Sequence, residues 1–110
     1  MVEYIPKQGD IVALTFDPQS GHKQKGRRPA LIISNHTFNK HLGLAFAVPI
    51  TNTKRGLPFH IPVESDNITG YIMCEQLKSI DYKSRKAKFI EEAKGEVLEE
   101  VLGIVESIMS

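Results

Sequence analysis

With a single cysteine, Cys74, the chain cannot form an internal disulfide, and its fold must rest on packing alone. No stretch approaches the ~20 consecutive apolar residues that a membrane-spanning helix requires, so no membrane association is expected. The N-terminal MVEYIPKQGD has neither the basic start nor the apolar run of a secretory signal, and with the unpaired thiol this points to a reducing, cytoplasmic setting. A Walker-type phosphate loop and a dinucleotide fingerprint are both missing. The four histidines, His22, His36, His41 and His60, include no HExxH pair and no i,i+4 partners, and one cysteine adds little to them. Neither a metal nor any other cofactor is therefore expected. Tryptophan is absent, and the loops offer few aromatics beyond Phe38 and Tyr82, so wide stacking platforms for nucleobases are not built in.

A chain of 110 residues has room for one core, and residues 1–110 are read as a single domain. The net charge of +1 hides an asymmetry: residues 1–90 carry 13 basic and 7 acidic side chains, whereas residues 91–110 carry one lysine and 6 glutamates. A basic body with an acidic terminal segment suits a polyanion bound on one face. Residues 10–16, 30–34 and 42–50 read as strands, the latter two buried on both faces. Phe59, Ile61 and Val63 alternate with His60 and Pro62, which predicts Phe59 inward and His60 outward, on an edge strand or one near a bulge because Pro62 cannot donate to a ladder. One or two strands follow within 70–80 and a short one at 86–90. The period then changes: Val97, Leu98, Val101, Leu102, Val105, Ile108 and Met109 predict an amphipathic helix with Gly95 as N-cap and an apolar stripe that must dock on the barrel or on a second subunit. The fold class is mainly β, with a terminal helix.

The segment GHKQKGRRP, residues 21–29, has no large apolar side chain and ends in Arg27-Arg28 where a strand begins. A guanidinium on so rigid a base can grip phosphate oxygens bidentately, which a lysine cannot do. Taken alone, such a pair more often marks a solvated loop. His36, His41 and His60 read as surface residues, and Cys74 as a small buried apolar one.

Four blocks occur in order: Gly9-Asp10-Ile11-Val12 before Asp17-Pro18; Gly21-His22 with Gly26, Arg28 and Pro29; Val48-Pro49-Ile50-Thr51; and Cys74-Glu75-Gln76-Leu77-Lys78-Ser79-Ile80-Asp81. Together they resemble the MazF/PemK family of endoribonuclease toxins, from about Gly9 to the end of the terminal helix. The resemblance implies an SH3-like, partly open β-barrel, a homodimer with single-stranded RNA in its interface groove, and metal-independent cleavage by the substrate's own 2′-hydroxyl. It also implies an acidic antitoxin that covers the RNA groove. Arg28 matches the family's catalytic arginine and Thr51 the threonine that binds the scissile phosphate. Lys23 stands where glutamate is common, and Met73 replaces an arginine that some relatives use with a carboxylate two residues on, which Glu75 preserves. Glu75 and His22 are thus candidates for proton transfer; for Glu75 an ordinary salt bridge, with Arg28 as one partner, stays open. Arg28 is assigned to charge stabilisation, since a guanidinium stays protonated, and to proton transfer only if Glu75 and His22 prove dispensable. Lys23, Gln24, Lys25, Arg27, Asn52, Lys54, Arg55, Gln76 and Lys78 are expected to line the RNA path. A related toxin that poisons topoisomerase without cutting RNA engages its target through a C-terminal tryptophan, and this chain ends Ile108-Met109-Ser110. A non-catalytic interaction barrel is the remaining alternative.

Overall fold

The computed structural model describes residues 3–15 and 27–110. The strands are β1 (Asp10–Thr15), β2 (Arg27–Ile32), β3 (Ala45–Thr51), β4 (His60–Glu64), β5 (Thr69–Met73), β6 (Lys78–Ile80) and β7 (Lys88–Glu92). Two helices, α1 (His36–Leu42) and α2 (Gly95–Met109), and a 3-10 turn at Cys74–Gln76 complete the described elements. All recorded pairings are antiparallel, in the order β4-β5-β3-β2-β1-β7, with β6 added beside β3. The sheet curls into a half-barrel. Strand β4 lies at its edge, where Pro62 costs no central ladder bond.

Both faces of the central strands are buried, and successive residues go to opposite sides. Ile11, Leu31, Val48, Ile61 and Ile72 pack with Val101 of α2, while Val12, Leu14, Ala30, Ile32, Ala47 and Ile80 form a second cluster on the opposite face. That explains why 30–33 reads as an unbroken apolar run. Helix α2 lays Val97, Leu98, Leu102 and Val105 against the first cluster. Its stripe is not wholly covered: Ile108 and Met109 stay exposed. The residue at its N-cap is Lys94, with no side-chain cap, rather than Gly95.

Four further expectations are corrected, the first being the strand read at 30–34, which runs from Arg27 to Ile32 because its ladder with β1 extends to Thr15. The strand predicted at 42–50 begins at Ala45, because 36–42 is helical: the Asn35 side chain accepts from Phe38 N–H at 2.8 Å, and Gly43, at φ 71°, ends the helix. Strand β7 starts at Lys88, two residues late, after a turn in which Lys86 takes φ 54°. Phe59 sits in the turn before β4 and is exposed, so the alternation does not apply to it, whereas His60 is buried. Ile61 and Val63 do face inward.

Around α1 the polar groups are matched. Asn39, fully buried, donates to the Pro6 and Ser34 carbonyls and accepts from the Ser34 hydroxyl, while its own carbonyl takes the Tyr82 hydroxyl at 2.8 Å. Tyr82 therefore stands in the turn after β6 but is buried in the core, and Phe38 stacks on Phe46 at 5.6 Å.

Gly70 of β5 lies tight against β3: a Cβ there would stand 2.5 Å from the Thr51 carbonyl oxygen and 3.0 Å from Ile50 Cγ2. Because one of those atoms is backbone, Gly70→Ala should cost about 1–3 kcal/mol, measured by chemical denaturation. A loss indistinguishable from zero would contradict this packing. Burial, with Glu75 and Glu100 nearby, pushes the Cys74 thiol up to about 11. Cys74 should therefore resist alkylation at pH 8 in the native protein and react on unfolding, as followed by intact mass.

Candidate functional site

Strand β3 gives the site its frame. Its residues Ala47–Pro49 pair with Ala30–Ile32 of β2, and Arg28 and Thr51 each lie two residues beyond the last pair, Ala30–Pro49, at the same end of that ladder. Arg28, Ala30 and Ile32 share one face of β2, and Ala47, Pro49 and Thr51 share one face of β3. Ala30, Ile32 and Ala47 belong to the second apolar cluster, so Arg28 and Thr51 stand on the sheet face away from α2. The glutamates of α2 consequently lie across the sheet from these two residues.

Two concavities meet at Arg28, Pro29 and Ile50, which line both. The inner one, ≈ 160 Å³, has an apolar floor that includes Leu14, Ala30 and Ala47, with Gln76, Lys78 and Arg85 among its polar walls. The outer one, ≈ 410 Å³, is bounded by Arg27, Thr51, Asn52, Asn67 and Thr69. Thr51 Oγ1 accepts the Thr53 backbone N–H at 3.2 Å, which orients the hydroxyl and leaves its O–H able to donate. Arg27 donates from Nη2 to the Ala13 carbonyl at 2.9 Å and to the Lys86 carbonyl, so it ties β2 to β1 and to the 81–87 turn as well as bordering the outer concavity.

Glu75 lies on the 3-10 turn between Met73 and Gln76, both of which line the inner cavity. Its ion-pair partner is His60: Nε2 stands 3.0 Å from Glu75 Oε2, with the imidazole 3% exposed and the carboxylate 34%. Sequence reasoning put His60 on the surface. It is buried because the turn folds beside it, the Cys74 N–H bonding the Phe59 carbonyl at 3.2 Å. Burial pushes the Glu75 carboxyl up, but the hydrogen bond from His60, the backbone N–H and the Gln76 side chain outweigh it and hold the group below the usual carboxylate range. Glu75 is therefore a carboxylate at neutral pH.

Of the sequence-predicted site residues, Arg28, Thr51, Asn52, Gln76 and Lys78 thus gather around two adjoining hollows, with Arg27 at the border and Glu75 on the adjacent turn. Lys54 and Arg55 are exposed on the segment between β3 and β4, outside both hollows. His22, Lys23, Gln24 and Lys25 lie outside the described residues, as do Asp17-Pro18, Gly21 and Gly26. His36 and His41 are exposed and Cys74 is buried, as read. Sequence reasoning missed Asn67, Thr69, Arg85 and His60. Of these only Arg85 had a signal, in the basic run from Lys83 to Lys88. Among the described residues no group of three or more His, Cys, Asp or Glu stands close enough to hold a metal ion.

Comparison with known proteins adds a second line of argument. Residues 7–109 match the family model described as PemK-like, MazF-like toxin of type II toxin-antitoxin system. The chain is 33% identical over 104 residues to the endoribonuclease toxin MazF of Escherichia coli K12, spanning 94% of this chain and 90% of that protein. It is 41% identical over 102 residues to the endoribonuclease toxin ChpB of the same strain, covering 87% of each. A chain in a MazE–MazF crystal structure from Deinococcus radiodurans superposes with a TM-score of 0.87 at 33% identity, with 98% of both chains covered. A half-barrel that brings Arg28 and Thr51 to one face and a matching family model over nearly its whole length place this chain in the PemK-like, MazF-like toxins of type II toxin–antitoxin systems.

Proposed function

We propose that this toxin cuts single-stranded RNA, mRNA above all, by attack of a 2′-hydroxyl on the adjacent phosphate, without a metal ion. It would so block translation and growth. The observation that carries the reading is the place of Arg28: it lines both concavities, on the same sheet face as Thr51. A phosphate at the junction would meet a fixed cation and a hydroxyl donor from two different strands. The 2′ oxygen bonds to phosphorus, the bond from phosphorus to the 5′ oxygen breaks, and the products are a 2′,3′-cyclic phosphate and a 5′-hydroxyl. Arg28 offsets the charge that builds on the phosphorane, and Thr51 donates to a phosphate oxygen. Glu75, held ionised, accepts the 2′ proton. His22, the other group suited to proton transfer because imidazole titrates near neutrality, would give the leaving 5′ oxygen the proton that makes it a hydroxyl.

Gln76, Lys78 and Asn52, with Arg27, Lys54 and Arg55 along the rim, would guide the strand, as would Lys23, Gln24 and Lys25. The working form is a cytoplasmic homodimer of single-domain chains with the RNA in a groove between them. Its antitoxin would be an acidic segment laid over that groove, carboxylates to Arg27, Arg28 and Lys54, which displaces RNA. The likeness to the Deinococcus radiodurans MazE–MazF structure supports such a partner.

The test is cleavage of a mixed-sequence single-stranded RNA in EDTA, with the ends mapped. The parental protein should leave cyclic-phosphate ends and fail on a substrate whose cut site carries a 2′-deoxy sugar. Arg28→Ala should lower the rate by about 10²–10³-fold. Intact RNA in the parental reaction would overturn the enzyme reading, and an unchanged rate for Arg28→Ala would overturn the site.

A further inference from the structure

Outside the phosphate junction, the His60–Glu75 pair is the contact with the most chemistry in it. A carboxylate only accepts, so His60 Nε2 must carry the hydrogen in the 3.0 Å bond to Oε2, whichever charge state the ring holds. The ring is enclosed, and its other nitrogen, Nδ1, is a buried polar atom without a hydrogen-bond partner among the described residues. Leaving such an atom unmatched opposes folding. An apolar side chain of similar size would fill the same space without that cost, so packing alone does not account for a histidine here. What the imidazole supplies, and an apolar residue cannot, is one fixed donor aimed from the core at the Glu75 carboxylate.

We propose that His60 is a positioning residue for Glu75: its buried Nε2–H holds Oε2 and thereby sets the plane of the carboxylate and the direction of Oε1, the oxygen that receives the 2′ proton. This rests on the reading of Glu75 given above. The geometry suits it. His60 begins β4 and pairs with Met73, which lines the inner cavity, while Glu75 begins two residues later on a turn whose N–H at Cys74 is bonded to Phe59. Imidazole, turn and cavity wall are therefore braced together by the β4–β5 ladder. A glutamate has three side-chain torsions to fix, and a carboxylate tied at one oxygen keeps few of those conformations. Holding a proton acceptor in its reacting orientation is where such a contact acts on rate rather than on substrate binding.

The surroundings define the pH behaviour. Gln76 also hydrogen-bonds Glu75, Cys74 lies on the same turn, and Glu100 reaches Cys74 from α2. Strand β3 carries no ionisable side chain, Glu64 stands at the far end of β4 opposite Thr69, and Tyr71 of β5 lies opposite Pro62. His60 thus supplies the main opposition to the burial that raises the Glu75 carboxyl. Remove it and the acid must stay protonated to higher pH.

The test compares the parental protein, His60→Met, His60→Gln and Glu75→Gln on one cleavable single-stranded RNA, measuring kcat and KM from pH 4 to 8, with thermal melts alongside. In His60→Met, kcat should fall about tenfold with KM little changed, and the acidic limb of kcat should move up by about one pH unit. His60→Gln, whose amide nitrogen can donate from a similar position, should recover most of both effects even if its melting temperature resembles that of His60→Met. A His60→Met enzyme with the parental kcat and acidic limb, beside an impaired Glu75→Gln, would overturn the positioning role alone. Failure of His60→Gln to recover either effect would overturn it too. Parental rates in Glu75→Gln would overturn the proton-acceptor role and this proposal together.

Discussion

Strand β3 hydrogen-bonds to three other strands within seven residues, and the placing of Arg28 and Thr51 on one face follows from that exchange of partners. Ala45–Ala47 pairs with β6, Ala47–Pro49 with β2, and Ile50–Thr51 with β5. The change from β6 to β5 on one edge curls the sheet, while the β2 register on the other edge sets Arg28 and Thr51 on a common face. Gly70 lets β5 come close enough to complete the turn-over, with its α-carbon against the Thr51 carbonyl. A one-residue slip of β2 on β3 would send Arg28 to the α2 side and bury it. Register is thus the constraint on function, and it is enforced by apolar residues on both faces: Ile11, Leu31 and Val48 toward α2, Val12, Ala30 and Ala47 away from it.

The same two-faced burial separates the charges. The glutamates of α2 are confined to one side of the sheet, because the stripe of Val97, Leu98, Val101 and Leu102 must face the first cluster. Arg28, Lys78 and Arg85 are left on the other side, around the inner cavity. A chain of net charge +1 therefore offers a polyanion a basic hollow without an overall basic surface. Long-range attraction from such a protein is weak, and binding depends on groups close to the phosphate. That suits a junction where a guanidinium and a hydroxyl converge better than it suits a diffuse basic patch.

How much of this was legible in the sequence depended on the range of the interaction involved. The strand read at 10–16, the core of the one read at 30–34 and the terminal helix announce themselves by their apolar patterns, and the buried Cys74 by its small apolar side chain. Helix α1 was missed although its signals, Asn35 and Gly43, are local, because the apolar run after it dominated the reading. Arg28 and Thr51 stand out through motifs, yet their sharing one sheet face is a matter of register, which no single strand encodes. His60 was misplaced for a different reason. Alternation correctly turned it off the Ile61 and Val63 face, but an outward residue is exposed only if nothing covers it, and the cover comes from a turn fifteen residues later. Burial on the outer face of an edge strand is a tertiary property.

That misreading bears on how the work of the site is divided. A guanidinium offers charge rather than a transferable proton, so the role proposed for Arg28 is charge stabilisation. Charge stabilisation tolerates small displacements because it falls off slowly with distance. Proton transfer does not, since it requires hydrogen-bond contact. On the proposed reading the group anchored on a strand of the central sheet is the cation, whereas the carboxylate, on a short turn, is held by a donor from the core. A glutamate at this position, one methylene longer than an aspartate, reaches further but has an extra torsion to fix. In the proposed reading the buried imidazole of His60 would fix it, so that the added length becomes reach rather than looseness.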